Sequence, residues 1–318
     1  MPDSASSRRI ALIGNQAFSM VNFRGPLIRA LAARGLTVLA LAPDYDARTR
    51  AEVRALGAEP VDFALSRAGM NPFADGVAAI GLAVLLRRLR ADVSFAYSVK
   101  PVIYGTLGAW AAGVPRRHAL IEGLGYVFVD AGDGLPAGRR LLRWAVLRLY
   151  ALALGRAAKV FFVNADDAGE LAAAGALDPG KAVNLGGIGL DLAEWPQAPA
   201  VEKPLTFLLV ARLLAEKGIR EYVAAARQVK AAHPDVRFRL AGSLDSNPGG
   251  ISGEEADAWA AEGIVEWAGH VPVRPWLAEA SVFVLPSYRA RACRAAPRRP
   301  WPWGARSLPP TCRGAGTP

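Results

Sequence analysis

Phe207-Leu208-Leu209-Val210-Ala211-Arg212-Leu213-Leu214-Ala215-Glu216-Lys217-Gly218-Ile219-Arg220-Glu221-Tyr222-Val223 is the stretch on which the fold turns. Four apolar residues in a row read as a buried strand, Ala211 to Gly218 as a short basic turn, and Ile219, Tyr222, Val223, Ala226 and Val229 recur near helical spacing. A strand end, a basic turn and a helix start together form a compact place for a phosphate. Unpaired amides point outward there, and Arg212 and Lys217 add full charges. The competing reading is a charged surface turn.

N-terminal to this stretch, short apolar runs alternate with helical patterns. The strands read as Ile10 to Gly14, Thr37 to Leu41, Pro60 to Phe63, Val93 to Tyr97, His118 to Ile121 and Val160 to Val163. Helical stretches lie near Phe23 to Ala33, Ala47 to Leu56, Phe73 to Leu89, Val102 to Ala112, Gly138 to Leu154 and Ala165 to Ala174. Such alternation predicts an α/β fold with a mostly parallel sheet covered on both faces and ligands at the carboxyl ends of its strands. After a Pro-rich segment the period restarts with a strand at Phe207 to Val210, a helix at Ile219 to Ala232 and a strand at Val236 to Ala241. It then continues through Ser252 to Glu262, Ile264 to Trp267, Val273 to Glu279 and Val282 to Leu285. The predicted organisation is a first domain over 1–190, a linker over 191–204, a partial second domain over 205–289, and a tail over 290–318 without apolar periodicity.

Length and composition agree: 318 residues with 52% hydrophobic content suffice for two buried cores. The tail holds six arginines and no acid, so the net charge of +10 leaves only +4 for the first 289 residues. Both cysteines, Cys293 and Cys312, lie in the tail. The body therefore has no thiolate chemistry and no cysteine metal site. The tail reads either as a disordered basic segment or as the product of a slipped reading frame, because a sheet breaks off after a well-formed strand. Met1 to Arg9 does not have the form of a secretory signal, and the greasiest segments, Val77 to Leu89 and Leu141 to Leu154, are interrupted by arginines and short of a membrane span. The expectation is a cytoplasmic protein with at most peripheral membrane contact, for which Arg139, Arg140, Arg143 and Arg148 are candidates, their alternative being the solvent face of a sheet-covering helix.

Three further turns carry polar residues at strand ends. Gly14 to Gly25 reads as a small-residue loop leading into a helix, but without the GxGxxG spacing of a dinucleotide site. Arg24 in that helix's first turn either meets a phosphate or faces water. His118 and Glu122 share a strand face by a period of two if the strand runs that far, and either could be a general base or a structural residue. Metal-ligand spacing is absent around them. Gly242 to Gly250, after Phe238 to Ala241, suits contacts to a base or sugar, or is a plain surface loop.

Taken in order, Asn22-Phe23-Arg24, Lys100-Pro101-Val102-Ile103-Tyr104-Gly105, Glu122-Gly123-Leu124-Gly125-Tyr126-Val127-Phe128, Gly187-Ile188-Gly189-Leu190-Asp191, Ala211 to Gly218, Asp245-Ser246-Asn247-Pro248 and Val282 to Arg289 resemble glycosyltransferase family 4. Within it the chain is similar to bacterial enzymes that extend undecaprenyl-diphosphate-linked sugars in surface polysaccharide, lipopolysaccharide or glycan assembly. The resemblance covers Ile10 to Arg289 and implies the GT-B fold, two Rossmann-like domains facing a cleft. It implies retaining transfer of a hexosyl or N-acetylhexosaminyl group from a UDP-sugar to a lipid-linked saccharide. In that reading Arg212 and Lys217 hold the donor diphosphate and stabilise the charge on the leaving group, so that no metal or other cofactor is needed, which agrees with what such a turn can do physically. Asp245 and Asn247 flank the nucleotide, Asn22, Arg24, Lys100 and Tyr104 line the acceptor side, and Glu122 and His118 are candidates for acid-base chemistry.

One departure stands out. Relatives continue from the strand ending like Ser287-Tyr288-Arg289 into a Glu-Gly-x-Pro segment whose glutamate, with a second one shortly after, contacts the donor. Here Ala290-Arg291-Ala292-Cys293 follows, and neither glutamate is present. The resemblance then implies weak or absent transfer by the polypeptide as written. Two rivals remain: a GT-B-like sugar epimerase or phosphorylase, and a non-catalytic protein, either a truncated pseudoenzyme or an Arg-rich nucleic-acid binder whose affinity would fall steeply with salt. The favoured reading has a nucleotide-sugar donor and a lipid-linked acceptor as partners and no nucleic acid.

Overall fold

A computed structural model describes residues 8–66, 72–125, 128, 137–189, 195, 199, 201–245, 249–287 and 306–308. The chain divides into two compact units, Met1–Ile188 and Gly189–Pro318. The division falls inside the Gly187 to Asp191 segment, and much of the expected linker lies outside the described residues.

The first unit contains β1 (Arg9–Ile13), α1 (Ala17–Ala33), β2 (Thr37–Ala42), α2 (Ala47–Ala55), β3 (Ala58–Asp62), α3 (Pro72–Arg88) and β4 (Val93–Tyr97). It continues with α4 (Thr106–Ala111), β5 (Arg116–Ile121), α5 (Ala137–Gly155), β6 (Lys159–Phe162), α6 (Ala165–Ala173) and β7 (Ala182–Asn184). The seven strands run parallel in the order β3-β2-β1-β4-β5-β6-β7. Alternate strand residues point to opposite faces. Ala11, Ile13, Leu39, Leu41 and Ala96 therefore pack with Leu82 and Leu86 of α3 and Ala109 of α4. Along the same face Ala119, Ile121, Val160 and Phe162 meet Tyr150 and Leu154 of α5. Leu12, Ala40, Tyr97 and Leu120 go to the other face, with Met20 and Ile28 of α1 and Val53 of α2. Burial on both sides is why β1 and β2 read as unbroken apolar runs.

The second unit contains β8 (Thr206–Val210), a 3-10 turn at Ala215–Lys217, α7 (Ile219–Ala232), β9 (Arg237–Ala241), α8 (Gly253–Ala261), β10 (Glu266–Trp267), α9 (Val273–Ala278) and β11 (Val282–Val284). A short strand β12 (Arg306–Leu308) is also described. Its strands are parallel in the order β10-β9-β8-β11-β12. The core is formed by Leu209, Leu240 and Phe238 with Ile219, Tyr222, Val223 and Ala226 of α7 and Trp259 of α8.

Three expectations are corrected. α1 begins at Ala17, so Gly14 to Gly25 is a loop only as far as Gln16 and is helical beyond it. The physical reason is a cap from a distance: Gln16 makes no side-chain cap, and the Ala17 amide donates instead to Asp44 Oδ1 at 2.6 Å from the end of β2. The helix expected from Val102 opens as a π-helical turn over Pro101–Gly105 before α4. Regular structure also does not end near Leu285, because Arg306–Leu308 pairs with Val282–Val284.

Candidate active site

Each sheet has one place where strand order reverses, between β1 and β4 in the first unit and between β8 and β11 in the second. Ligands of open parallel sheets bind outside the carboxyl ends of the strands at such points. Of the sequence-predicted residues, Arg212, Lys217 and Asp245 fall around the second crevice and Arg24 and Glu122 around the first.

In the second unit the turn after β8 is pinned across the crevice to the exit of β11. Ser287, buried, donates from Oγ to the Glu216 carbonyl at 3.1 Å. Gly218 takes φ 72° at the start of α7, and a Cβ there would lie 2.2 Å from the Pro286 carbonyl oxygen. Only glycine meets both demands. Helix α7 begins without a side-chain cap, which leaves its N-terminal end as a natural seat for an anion. Beside it Arg212 is half exposed, and its Nη1 lies 2.5 Å from Oδ2 of Asp245, whose own side chain is buried. Lys217, half-buried, closes the 3-10 turn. Asp245 thus reaches the site as the partner that orients Arg212. The loop after β9 is held by a second close approach: a Cβ on Gly242 would sit 1.7 Å from the Ala211 carbonyl oxygen. Asn247 lies outside the described residues.

In the first unit the structure brings Arg24 and Glu122 together. Arg24 is buried, and its Nη2 lies 2.6 Å from Oε1 of Glu122, which follows β5 and keeps 31% of its side chain exposed. The guanidinium also sits 4.2 Å over the ring of Tyr97 and donates from Nη1 to the Phe23 carbonyl at 3.2 Å. Arg24 therefore neither faces water nor presents a free head to a phosphate. Sequence reasoning missed Tyr97 and Ser19 here, although Tyr97 ends the strand next to the crevice. Ser19 Oγ gives its one proton to the Gln16 carbonyl at 2.7 Å, so the Tyr97 hydroxyl, 2.9 Å away, donates to Ser19. Burial pushes the Tyr97 phenol up to about 12, against the lowering effects of the Ser19 bond and Arg24, so it stays a donor at neutral pH. The ring leaves no room beside it, since a Cβ on Gly14 would lie 2.3 Å from the Tyr97 oxygen. Gly14→Ala is expected to displace that hydroxyl and cost about 1–3 kcal/mol in urea unfolding; an unchanged midpoint would show that the loop yields instead.

Lys100 lies on the opposite sheet face. Its Nζ donates at 2.7 Å to Oδ1 of buried Asp75, in the first turn of α3. Tyr104, in the π-helical turn, has its phenol raised by burial and then by Asp75. The four acceptor-side candidates are thus not one cluster. Asn22 is exposed, and its amide is turned back onto the Phe18 carbonyl at 2.9 Å. His118 is corrected: it is the third residue of β5, four positions before Glu122, and packs edge-on against Phe161 with a centroid separation of 6.0 Å. Four strand residues span roughly 13 Å, so the shared face does not bring the two side chains together. Burial, then Arg116, lowers the His118 pKa, which keeps the ring neutral. Among the described residues no group of three or more His, Cys, Asp or Glu side chains is arranged to hold a metal ion.

Comparison with known proteins follows the same division. The Glycosyl transferase 4-like domain matches residues 22–186, and Glycosyl transferases group 1 matches residues 204–296. The chain is 30% identical over 296 residues to N,N'-diacetylbacillosaminyl-diphospho-undecaprenol alpha-1,3-N-acetylgalactosaminyltransferase of Campylobacter jejuni, covering 88% of this chain and 75% of that protein. Among solved structures it is similar to sucrose-phosphate synthase from Thermosynechococcus elongatus, with a TM-score of 0.62 at 15% identity over 88% of this chain and 76% of that one. It is also similar to Anabaena HepE in complex with UDP and glucose, with a TM-score of 0.60 at 13% identity over 91% and 78% of the two chains. These two likenesses show the fold alone, Rossmann-like units of GT-B type. By its domains and its relative, the chain belongs to the family 4, group 1 glycosyltransferases and is a transferase by descent.

Proposed function

We propose that this family member moves a hexosyl or N-acetylhexosaminyl group, with retention, from a UDP-sugar to a hydroxyl of a lipid-linked saccharide at the cytoplasmic membrane face. The observation that carries the reading is the second crevice, where Arg212, held in place by buried Asp245, and Lys217 flank the uncapped start of α7. Two cations and a helix N-terminus match a diphosphate, whose charge grows as the glycosyl bond breaks. With these cations serving the leaving group, no metal is required in this reading. Glu122, whose side chain is partly exposed, is the acceptor-side carboxylate, and buried Arg24 is its positioning residue. Lys100, Tyr104 and Asn247 remain candidates from the sequence in this reading. The lipid-linked acceptor is supported by the Campylobacter relative, whose name describes such a substrate, and the UDP donor by the HepE complex.

The test offers UDP-N-acetylgalactosamine, UDP-N-acetylglucosamine or UDP-glucose with a polyprenyl-diphosphate-linked saccharide. It uses this chain beside a version carrying a Glu-Gly-x-Pro run after Arg289. Mass spectrometry and NMR of the new linkage are expected to show a retained anomer from the restored chain and little or no product from the chain as written. Comparable turnover by both would remove the role given to the missing glutamates. A C2-epimerised sugar nucleotide formed without acceptor would overturn transfer in favour of epimerisation.

A further inference from the structure

The outward sides of α3 and α5 are built unlike helices that face water. On α3, Phe73, Val77, Ile80 and Val84 recur at i, i+4, i+7 and i+11, one straight line, and are between 47% and 85% exposed. The inward line of the same helix, Leu82 and Leu86, is already packed on the sheet. A helix that is apolar all round is normally covered on every side. α5 repeats the pattern with exposed Leu141, Trp144 and Leu152, and α4, which packs against both, adds exposed Trp110.

Charge selects the partner. The three helices contain one acid, Asp75, which is buried against Lys100. They carry six arginines, of which Arg143 is engaged by Glu170 of α6 at 3.0 Å. Arg148 lies 5.5 Å over the Trp144 ring, and Arg156, just beyond α5, lies 4.7 Å over Trp110. An exposed acid beside this face is Asp62 at the end of β3, which lies in the groove next to Val77 and is paired with Arg50. Apolar side chains, tryptophans and guanidinium groups on three helices that themselves present no exposed acid suit the boundary of an anionic bilayer. There the apolar bodies enter the acyl region while indole and guanidinium stay at headgroup level. A nucleic acid would use the cations and leave the α3 line wet.

We propose that the outer face of α3, α4 and α5 docks on an anionic lipid surface, with the Phe73 to Val84 line as the inserted edge. It makes α3 the main contact, whereas sequence reasoning named only the α5 arginines. The proposal holds whichever acceptor the enzyme uses, so vesicle binding and transfer assays fail independently. The full chain is sedimented with phosphatidylcholine vesicles with and without phosphatidylglycerol at physiological ionic strength. Wild type is expected to partition onto the anionic vesicles, and Val77→Glu with Ile80→Glu to reduce this at least about tenfold. A variant with the six tail arginines replaced by serine is expected to keep most of the binding. Loss in the tail variant with retention in the glutamate variant overturns the proposal. So does light scattering that shows a dimer dissociated by the glutamates with no vesicle binding, which would assign the face to a second copy. Should the glutamate variant misfold, quenching of wild-type tryptophan fluorescence by brominated lipid decides. Trp110→Phe with Trp144→Phe is expected to remove most of that quenching, and undiminished quenching overturns the proposal.

Discussion

Arg212→Ala combined with Lys217→Ala is expected to lower kcat/KM of the restored enzyme by roughly a thousandfold or more. It is also expected to abolish measurable UDP binding to the chain as it stands. The reason lies in timing: the two cations attract the diphosphate in the ground state, and more strongly once the sugar has left and its full charge has appeared. Arg212 is half exposed, but its removal takes a partner from the buried carboxylate of Asp245, so a stability loss of about 1–3 kcal/mol is expected beside the lost binding. Calorimetric titration with UDP and urea unfolding therefore separate a lost site from a lost fold. Arg212→Lys is expected to recover only part of the affinity, because an ammonium lacks the planar fork that one carboxylate and one phosphate can share. Unchanged UDP affinity in the double variant would show that the donor is bound elsewhere.

Glu122→Ala is expected to destabilise the first unit by about 3 kcal/mol and, in the version carrying the Glu-Gly-x-Pro run, to abolish transfer. It leaves a guanidinium with a side chain only 5% exposed, already carrying one buried Nε without a partner, and deprived of its carboxylate. Replacing both partners by apolar residues, as in Arg24→Met with Glu122→Leu, removes the orphaned charge and is expected to restore most of the stability and none of the activity. Urea denaturation of the two single variants and the double variant provides the check. A Glu122→Ala loss well under 1 kcal/mol would mean that water reaches Arg24 in solution. Full activity in the double variant would confine Glu122 to a structural role.

Much of this was legible along the chain. Helix α7 occupies Ile219–Ala232 and β4 occupies Val93–Tyr97, the spans expected from spacing, because each buries a face whose period is visible locally. The start of α1 was not legible, since its cap comes from Asp44, 27 residues away. β7 and β12, of three residues each, are too short to show a period and exist through their neighbours in the sheet. His118 and Glu122 share a face by parity, yet parity says nothing of the distance between the middle of a strand and its end.

The sequence by itself determined the α/β class, the place where the pattern restarts, and the basic turn with its two cations, because hydrophobic period and turn chemistry are properties of neighbouring residues. Tertiary structure decided the rest. It buried Arg24 beneath Glu122 and against Tyr97, set Asp245 on Arg212, set Asp75 on Lys100, and left an apolar line on the outside of α3. Each of these depends on which strand lies beside which, and strand order is fixed by crossovers that link residues tens of positions apart.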